Sequence, residues 1–196
     1  MATKSSDRKL QILQAVAEML EQPNGSKITT AALAKRLGVS EAALYRHFAS
    51  KAQMFEGLIE FIEHTLFGLI NKITLDEKNG IQQARAILSL LLGFAQHNHG
   101  MTRVLTGDAL VNEDERLQHR INQLLDRLES TLKQSLRMAM VQQELDATTD
   151  VSAHANVLLC FVLGRWQQFA KSNFAREPLE MWAVQAAFLL PCVQKA

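Results

Sequence analysis

Proline is almost missing from the interior of this chain. Its only three prolines in 196 residues are Pro23, Pro178 and Pro191, so the long middle lacks the commonest helix breaker and long helices are predicted there. Cysteine is as scarce: Cys160 and Cys192 sit among apolar residues without metal-ligand spacing, which excludes a disulfide framework and predicts buried free thiols in a reducing cytoplasm. The opening MATKSSDRK has no apolar h-region, so no secretory leader is expected. The longest uncharged apolar run, Val151 to Gly164, is too short for a bilayer and ends at Arg165. Catalytic strings are missing too. No G-x-S-x-G, Walker A or G-x-G-x-x-G occurs, so neither an enzyme nor a bound cofactor is expected. His97-Asn98-His99 puts two imidazoles at i and i+2, on opposite sides of a helix end. The acids of Asn112-Glu-Asp-Glu115 suit a helix N-terminus better than a cation, so no metal site is expected.

What the chain does have is charge asymmetry. The formal net charge is only +1, yet residues 1 to 51 hold eight Lys/Arg against four acids, which leaves the remainder at −3. A basic head on a mildly acidic body concentrates positive field at one end, as attraction to phosphate requires.

Within that head lies the most informative stretch, ITTAALAKRLGVSEAALYRHFASK from Ile28 to Lys51. It reads as two short helices hinged by a tight turn. Thr29 is the predicted N-cap of the first, whose apolar side is Ala32, Leu33, Ala34 and Leu37. Gly38 stops that helix in a left-handed conformation, Val39 plugs the turn, and Ser40 caps a second helix carrying Leu44 and Phe48 inward. Glu41, Ala42, Ala43, Tyr45, Arg46 and His47 then face outward. Small side chains at the start of this second helix let it enter a major groove while its polar tip reaches bases and phosphates. Thr29, Tyr45, His47 and Lys51 are expected to hold phosphates. Ser40, Glu41, Ala43 and Arg46 are expected nearest the bases, and Thr30 completes the DNA-facing set.

The string T-x-x-x-L-A-x-x-x-G-V-S-x-x-x-L-Y-x-H-F-x-S-K, from Thr29 to Lys51, resembles the DNA-binding signature of the TetR family of bacterial regulators. The resemblance implies an all-α fold: a three-helix head with a helix-turn-helix, residues 1–51, and a six-helix dimerisation and partner-binding body, residues 52–196.

Periodicity gives the remaining helices. The first is predicted from about Asp7 to Glu21, with Leu10, Leu13, Val16, Ala17 and Leu20 on one face, ending at the turn cluster Pro23 to Ser26. Lys51 begins a fourth helix of about five turns with a wide stripe from Met54 to Ile73, closed by Asp76 to Gly80. A fifth, from about Ile81 to Asn98, is apolar nearly all round, and Gly100 closes it. Met101 to Leu110 reads as a short helix. From Glu113 to about Leu145, apolar residues from Leu117 to Met140 recur every three or four positions in a long, coiled-coil-like helix. Thr148, Thr149 or Asp150 caps the eighth, with Val157, Leu158, Phe161, Trp166 and Phe169. Pro178 is expected to start the ninth, whose apolar side is Trp182, Ala183, Ala186, Ala187 and Leu190. Apolar surface beyond one stripe on these two helices predicts a four-helix bundle between two subunits.

Similarity extends past the head. Met54 to Glu63, Leu90 to Phe94, Thr102 to Leu110, Arg116 to Ser130 and Thr148 to Asp150 resemble one branch of that family, the nucleoid occlusion factors. That resemblance implies a DNA-bound homodimer, cytoplasmic and nucleoid-associated, that sits on palindromic sites and antagonises division by engaging the disordered C-terminal tail of FtsZ. It implies a docking groove between the fourth and fifth helices, with Phe61, Leu69, Leu90, Gly93, Phe94, His97 and Asn98 in contact. His97 stands where the resemblance expects arginine. The competing role, common among TetR relatives, is a repressor of transcription released from DNA by a small ligand in the body.

Overall fold

A computed structural model describes residues 2–22 and 28–190. The predicted turn at Pro23 to Ser26, Pro191 and Cys192 lie outside the described residues. Every regular element in the described residues is helical: α1 (Ala2–Leu20), α2 (Thr30–Leu37), α3 (Glu41–Tyr45), α4 (Lys51–Asp76), α5 (Gly80–His97), α6 (His99–Leu105), α7 (Glu115–Val141), α8 (Val151–Lys171) and α9 (Trp182–Leu189), with a 3-10 turn at Asp108–Leu110. They pack as two units. The first runs through Glu63 and takes in Asn98–Ile121; the second holds His64–His97 and the chain from Asn122 onward.

In the first unit α1 starts at Ala2 rather than Asp7, because neither Gly nor Pro interrupts the intervening residues. Its buried face is wider than one stripe. Ile12 and Ala15 are buried with Leu13, Val16, Ala17 and Leu20, while Leu10 remains exposed, since α1 packs on both α2 and α6. Gly100 does not close α5; it lies inside α6. A Cβ there would fall 1.9 Å from the carbonyl oxygen of Ala17, so this glycine is the point at which two helix backbones meet. The predicted helix over 101–110 is broken at Gly107, whose φ is 80°. Asn112 also adopts a left-handed conformation, φ 65°. The residue that caps α7 is Asp114: its carboxylate accepts from the Arg116 backbone N–H at 3.0 Å and from the Arg116 guanidinium at 3.0 and 2.7 Å.

Helix α4 opens at Lys51 as expected but runs 26 residues, about seven turns instead of five. Its start is fixed by a reciprocal pair: Ser50 Oγ accepts from the Gln53 N–H at 3.2 Å, and the Gln53 side chain accepts from the Ala49 N–H at 2.8 Å.

The second unit is organised around α5, where Ile81, Ala84, Ile87, Leu88, Leu91, Leu92 and Ala95 are all fully buried. Gly80 allows α5 to begin against the backbone of α7, 2.3 Å from the Ala139 nitrogen for a Cβ built there. Buried Trp166 of α8 donates its indole N–H to the Leu91 carbonyl at 3.0 Å, which gives a large apolar side chain a satisfied polar end. Helix α7 stops at Val141 rather than Leu145, with Gln143 at φ 61° just beyond. Of three candidate caps for α8, Asp150 is the one used, accepting from the Ser152 and Ala153 N–H groups at 2.8 and 3.1 Å.

Pro178 does not start α9. Residues 178–181 form a turn that Arg165 holds, its guanidinium donating to the carbonyls of Glu177, Pro178 and Glu180 at 2.6, 3.2 and 3.0 Å; the helix begins at Trp182. Cys160 is exposed on α8, contrary to the buried thiol expected from its neighbours. On α8 and α9, Val157, Ala183, Ala187, Val184 and Phe188 are exposed as well, and among the described residues nothing lies within 4 Å of a Cβ at Gly164.

Candidate nucleic-acid interface

Local chemistry builds the helix-turn-helix. Thr29 is extended at φ −106°, ψ 148° and its hydroxyl accepts from the Ala32 N–H at 3.1 Å, closing the N-terminus of α2. Gly38 takes φ 65° and donates to the Lys35 carbonyl at 3.2 Å, while the Val39 N–H returns to Ala34 at 3.0 Å. That pair of bonds is the Schellman stop, in a conformation a side chain would oppose. Ser40 then starts α3 by accepting from the Ala43 N–H at 3.3 Å. Leu33, Leu44 and Phe48 are buried beneath. Ala32 is exposed, so the inward side of α2 is narrower than its apolar composition implied.

The residues expected to face DNA all belong to the first unit, though not in one state. Thr29, Ser40, Glu41, Tyr45 and Arg46 are exposed; Thr30, Ala43, His47 and Lys51 are half-buried. Thr29 and Ser40 spend their hydroxyls on backbone caps, which leaves each hydroxyl hydrogen available to a phosphate. Thr30 Oγ1 donates to Glu41 Oε2 at 2.5 Å. Lys51 is ion paired with Glu113, a partner 62 positions away that no local pattern signals. The Ser50/Gln53 pair that sets α4 does carry a local signal, S-x-x-Q. Arg36 of α2 pairs with Glu18 of α1 at 2.5 Å, and Lys9 lies 5.6 Å from the Phe48 ring centroid. These contacts tie α1 to α2 and to the segment that follows α3.

The residues expected to meet FtsZ are divided. Phe61 and Asn98 belong to the first unit; Leu69, Leu90, Gly93, Phe94 and His97 belong to the second. Leu69 and His97 are exposed, Leu90 and Gly93 half-buried, and Phe94 is buried, so Phe94 supports the surface from beneath. Gly93 faces Leu179, whose Cδ1 would lie 3.6 Å from an added Cβ. Beside it Gln96 accepts from the Leu179 N–H at 3.2 Å. His97 Nδ1 lies 2.7 Å from the Gly93 carbonyl.

A cleft of about 260 Å³ in the second unit is lined by Phe67, Thr74, Gln83, Arg127 and Ser135, among others. Gln83 and Ser135 within it are committed internally: Gln83 Nε2 donates to the Thr74 and Glu77 carbonyls at 3.2 and 2.7 Å, and its oxygen accepts from Ser135 at 3.1 Å. Among the described residues, no cluster of three His, Cys, Asp or Glu side chains is placed to hold a metal, and no helix is long and apolar enough to cross a membrane.

Residues 12–58 match the model of bacterial regulatory proteins of the tetR family, and residues 78–194 match that of a tetracyclin repressor-like, SlmA-like C-terminal domain. The chain is 52% identical over 185 residues, 94% of each chain, to nucleoid occlusion factor SlmA of Marinomonas sp. (strain MWYL1). It is 49% identical over 189 residues to the factor of the same name from Vibrio cholerae, covering 94% of this chain and 96% of that one. Among solved structures, a TetR transcription regulator from Haloarcula marismortui superposes with a TM-score of 0.80 at 18% identity, over 94% of this chain and 97% of that one. AibR, solved with isovaleryl coenzyme A and operator DNA, superposes at 0.75 with 17% identity, over 95% and 100%.

Proposed function

Because the chain belongs to the SlmA family of nucleoid occlusion factors, built on the TetR DNA-binding fold, we propose that it blocks division by carrying an FtsZ-binding body to palindromic chromosomal sites. The observation that carries the DNA side is the turn at Gly38, with Thr29 and Ser40 capping on either side. It presents the short α3 with two alanines and Glu41 at its entry to a groove. Thr29, Thr30, Tyr45, His47 and Lys51 hold phosphates; Ser40, Glu41, Ala43 and Arg46 lie nearest base edges.

Dimerisation is through α8 and α9, whose exposed Val157, Val184 and Phe188 are 53%, 62% and 79% accessible in the protomer. Apolar side chains so exposed on adjacent helices are the surface that a bundle with a second copy removes from water. Two heads then meet successive major grooves about 34 Å apart.

The FtsZ tail docks on the body, on Leu69, Leu90 and His97 with Gly93 and Phe94 behind them. An exposed leucine, a half-buried one and an exposed imidazole offer the apolar anchors and polar group that a disordered peptide uses. Phe61 and Asn98, also implied by the resemblance, are tested separately. The experiment is a titration of an FtsZ C-terminal peptide into the protein with and without a palindromic duplex. Wild type is expected to hold both ligands together. Leu69→Glu is expected to lose the peptide at least tenfold and keep the duplex, and Phe61→Ala and Asn98→Ala are scored in the same way. Wild-type peptide affinity in all three variants would place the division partner elsewhere. Release of the duplex by a small molecule, with no affinity for the peptide, would favour the repressor role.

A further inference from the structure

Two donors of the DNA-facing set are already occupied by carboxylates of the same chain. Thr30 donates to Glu41 at 2.5 Å, and Lys51 Nζ is bound to Glu113 Oε1. The second contact is no loose surface pair: the Lys51 and Glu113 side chains keep only 22% and 13% of their exposure. Nζ also lies 5.6 Å from the Phe55 ring centroid. Glu113 is held in place by its own backbone, which donates to the Leu110 carbonyl at 3.0 Å.

A carboxylate oxygen offers a lysine the same things a phosphate oxygen does, negative charge and a hydrogen-bond acceptor. We infer that Glu113 is an internal competitor for DNA phosphate at Lys51. In the free protein it neutralises the ammonium, and a backbone phosphate gains Lys51 only by displacing it. The inference rests on the DNA-binding reading above and adds a term to it. Because phosphates carry no sequence information, the displacement weakens every complex by the same factor. Complexes held by charge alone then fall below useful affinity first, and those with base contacts survive. Glu113 thereby restricts occupancy to true sites without touching a base. The Thr30–Glu41 bond acts in the same sense at a second, uncharged donor.

The test compares the full-length wild type with Glu113→Gln on a palindromic duplex and on a duplex of unrelated sequence, over a series of KCl concentrations. Glu113→Gln is expected to tighten both by about fivefold at low salt, the upper range for a partly exposed ion pair. It is also expected to steepen the dependence of log K on log[KCl] by about one. In a Lys51→Ala background the same change is expected to do nothing. Glu115→Gln removes equal charge from the exposed first turn of α7 and is expected to leave the slope unchanged. Glu113→Asp keeps the charge but shortens the arm; it is expected to tighten binding by a smaller factor, and it answers the question should the glutamine variant misfold. Unchanged or weaker binding in the folded Glu113 variants, or an equal gain from Glu115→Gln, overturns the inference while leaving DNA binding intact. No duplex binding by the wild type would sink both.

Discussion

Asp114 shows how one residue makes stability depend on pH. Hydrogen bonds from the Arg116 side chain and backbone hold its carboxyl down at about 2, well below the ordinary value. The folded carboxyl therefore releases its proton more readily than the unfolded one. Its contribution is complete above about pH 4 and fades as pH falls towards 2. Thermal melts of wild type and Asp114→Asn are expected to differ at pH 6 and to draw together as pH falls from 4 towards 2; a constant offset would mean that the carboxylate is not the cause. Thr29, Gly38 and Ser40 were readable from sequence because a cap is local, made between residues three or four apart. Lys51 was readable as a cation at the start of α4 but not as half of a pair, because Glu113 reaches it only through the fold.

At the scale of the element, the ends of helices were less legible than their existence. Gly100 looks like a stop and Pro178 like a start. Both signals are real but ambiguous: glycine serves a close crossing as well as a C-terminus, and proline fits a turn as well as a first helical position. What decides at Gly100 is α1, distant in sequence, whose Ala17 carbonyl fills the place of a side chain. Gly100→Ala gains a little helix propensity, about 1 kcal/mol, and meets a backbone atom that cannot turn aside. A net loss of about 3 kcal/mol is expected, read as a fall in melting temperature of about 10 °C at fixed protein concentration, with α1 the first element to lose amide protection. A neutral substitution would show that α1 and α6 separate at no cost.

For the whole molecule, exposure in a single protomer was the part that sequence could not supply. Cys160 was expected inside because its neighbours are apolar, yet those neighbours point two ways, some into the protomer and some, with Cys160, out of it. A helix apolar all round has two clients, and composition does not say which residue serves which. Phe188→Glu places a charge at the most exposed of the large apolar side chains on α9. It is expected to convert the dimer to monomer at micromolar concentration in sedimentation. The helix content should be retained, and affinity for a palindrome should fall at least a hundredfold as the two half-sites lose their linkage. A variant that stays dimeric would move the interface off α9.

Gly164 turns that arrangement into a reporter. On α8, a methyl group added there meets nothing within 4 Å among the described residues, so replacing glycine by alanine in mid-helix ought to stabilise an isolated chain by about 1 kcal/mol. Gly68 of α4 is open in the same way and supplies the calibration. If Gly68→Ala raises the melting temperature while Gly164→Ala lowers it in the wild type but not in the Phe188→Glu background, the penalty at 164 comes from an atom of the second copy. A single methyl then works as a feeler gauge, measuring how closely a second molecule has come.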